Sequence, residues 1–101
     1  RISMDEAKAL MEESEGYILL DVRTKEEYES GYIPGAINIP LSDINGNVVS
    51  SLPDKSRMIL VYCRSGNRSR QASDKLSRLG YTNIIEIGGI NSWKGEIIKI
   101  D

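Results

Sequence analysis

Cys63, the only sulfhydryl of the chain, opens the stretch Cys63-Arg64-Ser65-Gly66-Asn67-Arg68-Ser69, which sets a thiol beside two guanidinium groups, two hydroxyls and a glycine. A turn of this make-up can aim successive backbone N–H groups inward as an anion nest, and the positive end of a following helix adds to the field. Those donors, together with Arg64 and Arg68, are expected to draw the thiol below its free value of about 8.5, giving a thiolate near neutral pH. The chemistry in prospect is nucleophilic attack by sulfur on an anionic substrate. A lone Cys at the end of an apolar strand is more often an inert packed thiol. A purely structural Cys, however, has no need of two arginines and a Gly-containing turn directly after it.

Other chemistries are excluded by composition. Without histidine, the chain has no His metal cluster, no Ser-His or Cys-His dyad and no imidazole base. One Cys rules out an intrachain disulfide, a CxxC redox pair and a Cys-rich zinc site. No metal or cofactor is called for. The 13 Lys+Arg and 15 Asp+Glu are interspersed and leave a net charge of −2, so the one-sided cationic stripe of a nucleic-acid surface is missing. No apolar run approaches the ~18 residues of a membrane span. With 101 residues and no repeat or low-complexity tract, one domain over 1–101 is expected.

The elements that must position Cys63 follow from local patterns. Ser3-Met4-Asp5-Glu6 has capping-box form and opens a short helix whose apolar face carries Ala7, Leu10 and Met11. Tyr17 to Leu20 reads as a buried strand ending at Asp21-Val22-Arg23. Thr24-Lys25-Glu26-Glu27 is a second capping box, opening a brief helix to Ser30 that Gly31 closes, with Glu26 and Glu27 as first-turn acids. Ala36 to Ile39 is a short strand between Pro34-Gly35 and Pro40. Asp43 to Lys55 reads mostly as loop, with room for a helical turn.

Met58 to Tyr62 is an uninterrupted apolar strand of the kind covered on both faces in a parallel sheet. A helix is expected from near Ser69 to Leu79, where Gly80 and Tyr81 suit a Schellman end against Leu76. Ile84 to Ile87 supplies another strand, followed by Gly88-Gly89 and a short segment with Trp93. This order implies an α/β fold with a central, mainly parallel sheet of four to five strands, helices on both faces and right-handed crossovers. Ligands of such sheets bind outside the carboxyl ends of the strands, where Asp21, Cys63 and Gly88-Gly89 are expected to converge.

Taken together, Leu19-Leu20-Asp21-Val22-Arg23, Glu26-Glu27-Tyr28, Gly31-Tyr32-Ile33-Pro34-Gly35-Ala36-Ile37-Asn38-Ile39-Pro40, the Cys63–Ser69 loop and Gly88-Gly89 with Trp93 resemble a single-domain rhodanese over nearly the whole chain. The resemblance implies sulfane-sulfur transfer through a persulfide on Cys63. It also implies that the amides from Arg64 to Ser69, through Ser65, Gly66 and Asn67, hold the sulfur and the departing anion. Arg64 and Arg68 would attract and orient thiosulfate. Asp21 and Arg23 match an early Asp-x-Arg motif that supports the site from behind, although Arg23 reads equally as a purely structural partner. Gly88 and Gly89 are expected to allow close backbone packing beside the loop, and Trp93 to join the core. Tyr32 stands where the family commonly has a structural His, and Lys94-Gly95-Glu96-Ile97 departs from a usual Gly-Tyr-Pro form at the rim of the site.

Two rivals remain. A Cys-based phosphatase or arsenate reductase uses a Cys-x5-Arg loop, whereas Cys63 to Arg68 is one residue shorter and suits a single sulfur better than a phosphoryl group; no Asp or Glu flanking the loop stands out as a leaving-group acid. A binding module that keeps the fold without turnover is the other. The partners implied are a small anionic sulfur donor and a thiol or protein acceptor, with no nucleic acid and a monomer favoured. A lone thiol suits the cytoplasm, with export or envelope anchoring left open by what precedes Arg1.

Overall fold

The computed structural model describes residues 1–100; Asp101 lies outside them. Helix α1 (Met4–Glu13) leads into strand β1 (Ile18–Asp21), helix α2 (Lys25–Ser30) and strand β2 (Ile37–Asn38). After two 3₁₀ turns, Leu41–Asp43 and Gly46–Ser50, come strand β3 (Ile59–Cys63), helix α3 (Asn67–Arg78) and strand β4 (Ile84–Gly89). Among the described residues the four strands form one sheet in the order β2-β1-β3-β4, every ladder parallel. All four carboxyl ends therefore lie along one edge, which gathers the loops that follow them.

Both expected capping boxes form. Ser3 accepts from the Glu6 amide while the Glu6 carboxylate accepts from the Ser3 amide, and Thr24 and Glu27 repeat the exchange. The end of α3 is the predicted Schellman motif: Tyr81 N–H reaches Leu76 O and Gly80 N–H reaches Ser77 O, with Gly80 at φ +98°.

β3 is buried along its whole length, and its alternate residues serve opposite layers. Leu20, Ile59, Val61 and Cys63 face α3, packing with Ala72, Leu76 and Tyr81. Leu19, Leu60 and Tyr62 face α1, packing with Met4, Ala7, Ile33 and Ile87. Burial of each such Leu or Ile contributes roughly 2 kcal/mol, so the central strand is held from both sides and its last residue, Cys63, inherits a fixed position.

Two expectations need correction. α3 begins at Asn67, not near Ser69, because Gly66 takes a left-handed conformation (φ +104°) and turns the chain straight into the helix. β4 runs through Gly88 and Gly89 and does not stop at Ile87. A bulge lets this happen: Val61 pairs with Glu86 but Tyr62 pairs with Gly88, so Ile87 is the extra residue and the two glycines come level with Tyr62 and Cys63.

Candidate active site

Cys63 ends β3 and is 1% exposed. The tight turn at Gly66 folds the chain back over the sulfur, and the Gly66 amide donates to Sγ at 3.0 Å. Ser69, in the first turn of α3 and also fully buried, places its Oγ 3.5 Å from Sγ. Burial pushes the thiol up. The Ser69 hydroxyl when turned to the sulfur, and the amides of Ser69, Gly66 and Ser65, outweigh it and bring Cys63 below its ordinary value. Hydrogen-bond donors lead this lowering, where the sequence had pointed also to the two arginines: Arg64 is exposed, and Arg68 is already engaged.

The loop is clamped from β4. A Cβ on Gly89 would lie 2.2 Å from Arg64 O and 2.6 Å from Ser65 Cα, so only glycine permits this approach. The Asn91 amide then donates to Arg64 O at 3.2 Å. Ser65 and Asn67 are exposed at the rim, with Asn67 Oδ1 accepting from Arg70.

Asp21 and Arg23 do not touch the sulfur. Arg23 donates through its backbone amide, Nε and Nη2 to the buried Asp21 carboxylate, and through Nη2 to Gly31 O at 2.6 Å. Burial pulls the Arg23 guanidinium down, but the Asp21 carboxylate more than offsets this and holds it above its ordinary value. Asn38 Nδ2 ties Asp21 O and Arg23 O to β2. This buried cluster fixes the end of β1 and the C-terminal end of α2. Tyr32 joins the same region, stacked on Tyr28 with ring centroids 4.2 Å apart and paired by its backbone with Ile98. Trp93 packs against the α1-side cluster, with Nε1 donating to Glu96 O.

Two carboxylates reach the loop that sequence inspection had not connected to it. Glu27, read as a first-turn acid, also accepts from both terminal nitrogens of Arg68 at 2.6 and 2.9 Å. That guanidinium is the main reason the Glu27 carboxyl drops to about 2. Glu86 in β4 accepts from the Ser69 hydroxyl at 2.8 Å and from the Gly88 amide, and pairs with Arg1. Neither flanks the loop in sequence or is placed as a leaving-group acid: both arrive from distant sequence, each already paired with an arginine. The one available signal was Glu86 itself, a charge inside the apolar run Ile84-Ile85-Glu86-Ile87.

The α/β fold that carries this thiol has known counterparts. Residues 3–96 match the Rhodanese-like domain family. The chain belongs to that family. It is 41% identical over 71 residues to thiosulfate sulfurtransferase PspE of Escherichia coli, covering 70% of this chain and 68% of that protein. It is 39% identical over 89 residues to the adenylyltransferase and sulfurtransferase UBA4 of Meyerozyma guilliermondii, where the match covers 80% of this chain but only 21% of that longer protein. A solved rhodanese from E. coli, described as carrying anions, superposes with a TM-score of 0.76 at 36% identity, covering 82% of this chain and 98% of that one. This kinship supports sulfur transfer as the general chemistry of the rhodanese-like chain. Among the described residues no helix is long and apolar enough to cross a membrane.

Proposed function

We propose that the chain moves a sulfane sulfur from thiosulfate, or from another persulfide or polysulfide donor, to a thiophilic acceptor through a persulfide on Cys63. The observation that carries this is the Gly66 amide 3.0 Å from a buried sulfur at the mouth of a donor-lined loop. The Cys63 thiolate attacks the outer sulfur of thiosulfate, a new S–S bond forms, and the old one breaks as sulfite leaves with the electron pair. Sulfite departs as a stable anion, so neither a general acid nor a base is required, and a chain without histidine can do this work. The acceptor, cyanide in an assay or a thiol or protein in a cell, then takes the outer sulfur and returns the Cys63 thiolate.

In this scheme the amides from Arg64 to Ser69 hold the sulfur and the departing anion, Arg64 and Arg68 receive the anionic donor, and Asp21 and Arg23 brace the elements behind the loop. The solved E. coli relative is itself described as a rhodanese with anions, in keeping with an anionic donor. The test is intact mass after incubation with thiosulfate, then with cyanide. A gain of roughly 32 Da that the acceptor removes is expected, and Cys63→Ser should show none while remaining folded. Turnover retained in Cys63→Ser would refute the assignment.

A further inference from the structure

Glu86 has no part in the scheme above, yet its carboxylate is fixed at three points around the nucleophile. Oε1 pairs with Arg1 Nε, while Oε2 accepts from the Gly88 amide and from Ser69 Oγ. Arg1 Nη2 also donates to Gly66 O at 2.7 Å, joining this carboxylate to the turn that covers Cys63.

The Ser69 hydroxyl carries one proton but faces four acceptors. Glu86 Oε2 lies at 2.8 Å, Gly66 O at 3.0 Å, Gly88 O at 3.3 Å and the Cys63 sulfur at 3.5 Å. The proton can serve one of them well. A carboxylate is both the nearest and the only charged acceptor while Cys63 is a thiol, and a charged acceptor binds a donor about twice as strongly as a neutral one. The hydroxyl then turns to Glu86, and the thiol donates its own S–H to Ser69 Oγ. Once Cys63 ionises, two anions compete for one donor.

We infer that Glu86 is a positioning residue for Cys63: its carboxylate holds the Ser69 hydroxyl proton away from the sulfur, so the thiol–thiolate balance of the nucleophile is set from β4. No covalent bond changes in this step; the hydroxyl rotates. The inference rests on Cys63 being the sulfur nucleophile. Of the other charged groups near the pair, Arg64 beside Cys63 is exposed to solvent and the rest are already engaged. Arg68 on α3 is held by Glu27 of α2, and Asp21 at the end of β1 is held by Arg23. Asp74, which lines the shallow cavity shared by Arg1 and Glu86, pairs with Arg78.

Glu86→Gln keeps the shape and an oxygen for the Gly88 amide but offers Ser69 only a neutral acceptor. The thiolate then wins the proton. Titration of Cys63 by its ultraviolet thiolate absorbance, checked by alkylation rate against pH, should show the midpoint falling by about one unit in Glu86→Gln. In a Ser69→Ala background the same substitution should shift it by less than about a third as much. A midpoint that stays put or rises in Glu86→Gln overturns the inference. A full shift surviving without the hydroxyl also overturns it, by showing that Glu86 acts through space.

Ser69→Ala alone gives a second arm that leaves the Glu86–Arg1 pair in place. With the proton already on Glu86, losing the hydroxyl should move the Cys63 midpoint by only a few tenths of a unit. A rise of about a unit or more places the proton on the sulfur and defeats the inference. Sulfur loading of the native chain, read by mass, tests the nucleophile separately: no uptake from any donor would refute that assignment, whatever the titrations show.

Discussion

Glu27→Gln asks whether Arg68 is free to meet an anionic donor. The pair is bidentate, at 2.6 and 2.9 Å, with the side chains 30% and 28% exposed. Arg68 is the leading cause of the fall of the Glu27 carboxyl from 4.5 to about 2. That displacement converts to about 3 kcal/mol before solvent screening, and partial exposure reduces it to about 1–2 kcal/mol. A dianion entering the loop must draw the guanidinium away from Glu27 against this energy. Removing the carboxylate charge should therefore lower KM for thiosulfate by about 5–30-fold with kcat little changed. Initial rates with thiosulfate and cyanide at low ionic strength are the assay, because salt screens the effect. An unchanged or raised KM in a folded variant would refute competition between Glu27 and the donor. The same pair has a stability signature. Its folded value is depressed, so its contribution is present above about pH 4.5 and is lost as pH falls toward about 2. Urea midpoints of the native chain should drop by the equivalent of about 1–2 kcal/mol across that window from this pair, and Glu27→Gln should lack that portion.

Gly89→Ala should destabilise the fold by about 2–4 kcal/mol in urea and slow alkylation of Cys63, since a methyl group 2.2 Å from Arg64 O pushes the loop off the sulfur; native stability and reactivity together would contradict the clamp. Arg23→Ala should cost about 3–5 kcal/mol, because it leaves the wholly buried Asp21 carboxylate unpaired, and a loss under about 1 kcal/mol would show that Asp21 finds another partner.

What the sequence made legible was local. Ser3 with Glu6, Thr24 with Glu27, and Leu76 with Gly80 and Tyr81 each complete their bonds within a few residues, so spacing alone foretells them. The apolar run into Cys63 and the polar loop after it are equally local. Contacts that depend on register were hidden. Glu27 and Arg68 are 41 residues apart, and they meet only because the Asp21–Arg23–Gly31 cluster sets α2 beside the start of α3. Glu86 meets Ser69 because β4 lies next to β3 in register up to the bulge, which no composition pattern announces. The early start of α3 belongs with these, since it follows from the left-handed turn at Gly66 and not from a side-chain cap.

The balance of fields at Cys63 carries one more consequence. Amides held at Gly66, Ser65 and Ser69 are fixed dipoles that neither titrate nor attract counter-ions, and they sit in a buried, low-dielectric pocket. Arg68 is largely offset by Glu27, and Arg64 stands in solvent. The thiolate is thus stabilised mainly by groups that salt does not screen, whereas in the proposed scheme a charged donor would be drawn in by arginines that it does screen. Raising ionic strength from about 0.01 to about 0.15 M shortens the screening length from roughly 30 to 8 Å. Alkylation by neutral iodoacetamide should therefore change by less than about twofold over that range, whereas sulfur loading from thiosulfate should slow by about threefold or more. Equal salt sensitivity of the two reactions would mean that the arginines, and not the amide cradle, govern the reactivity of Cys63.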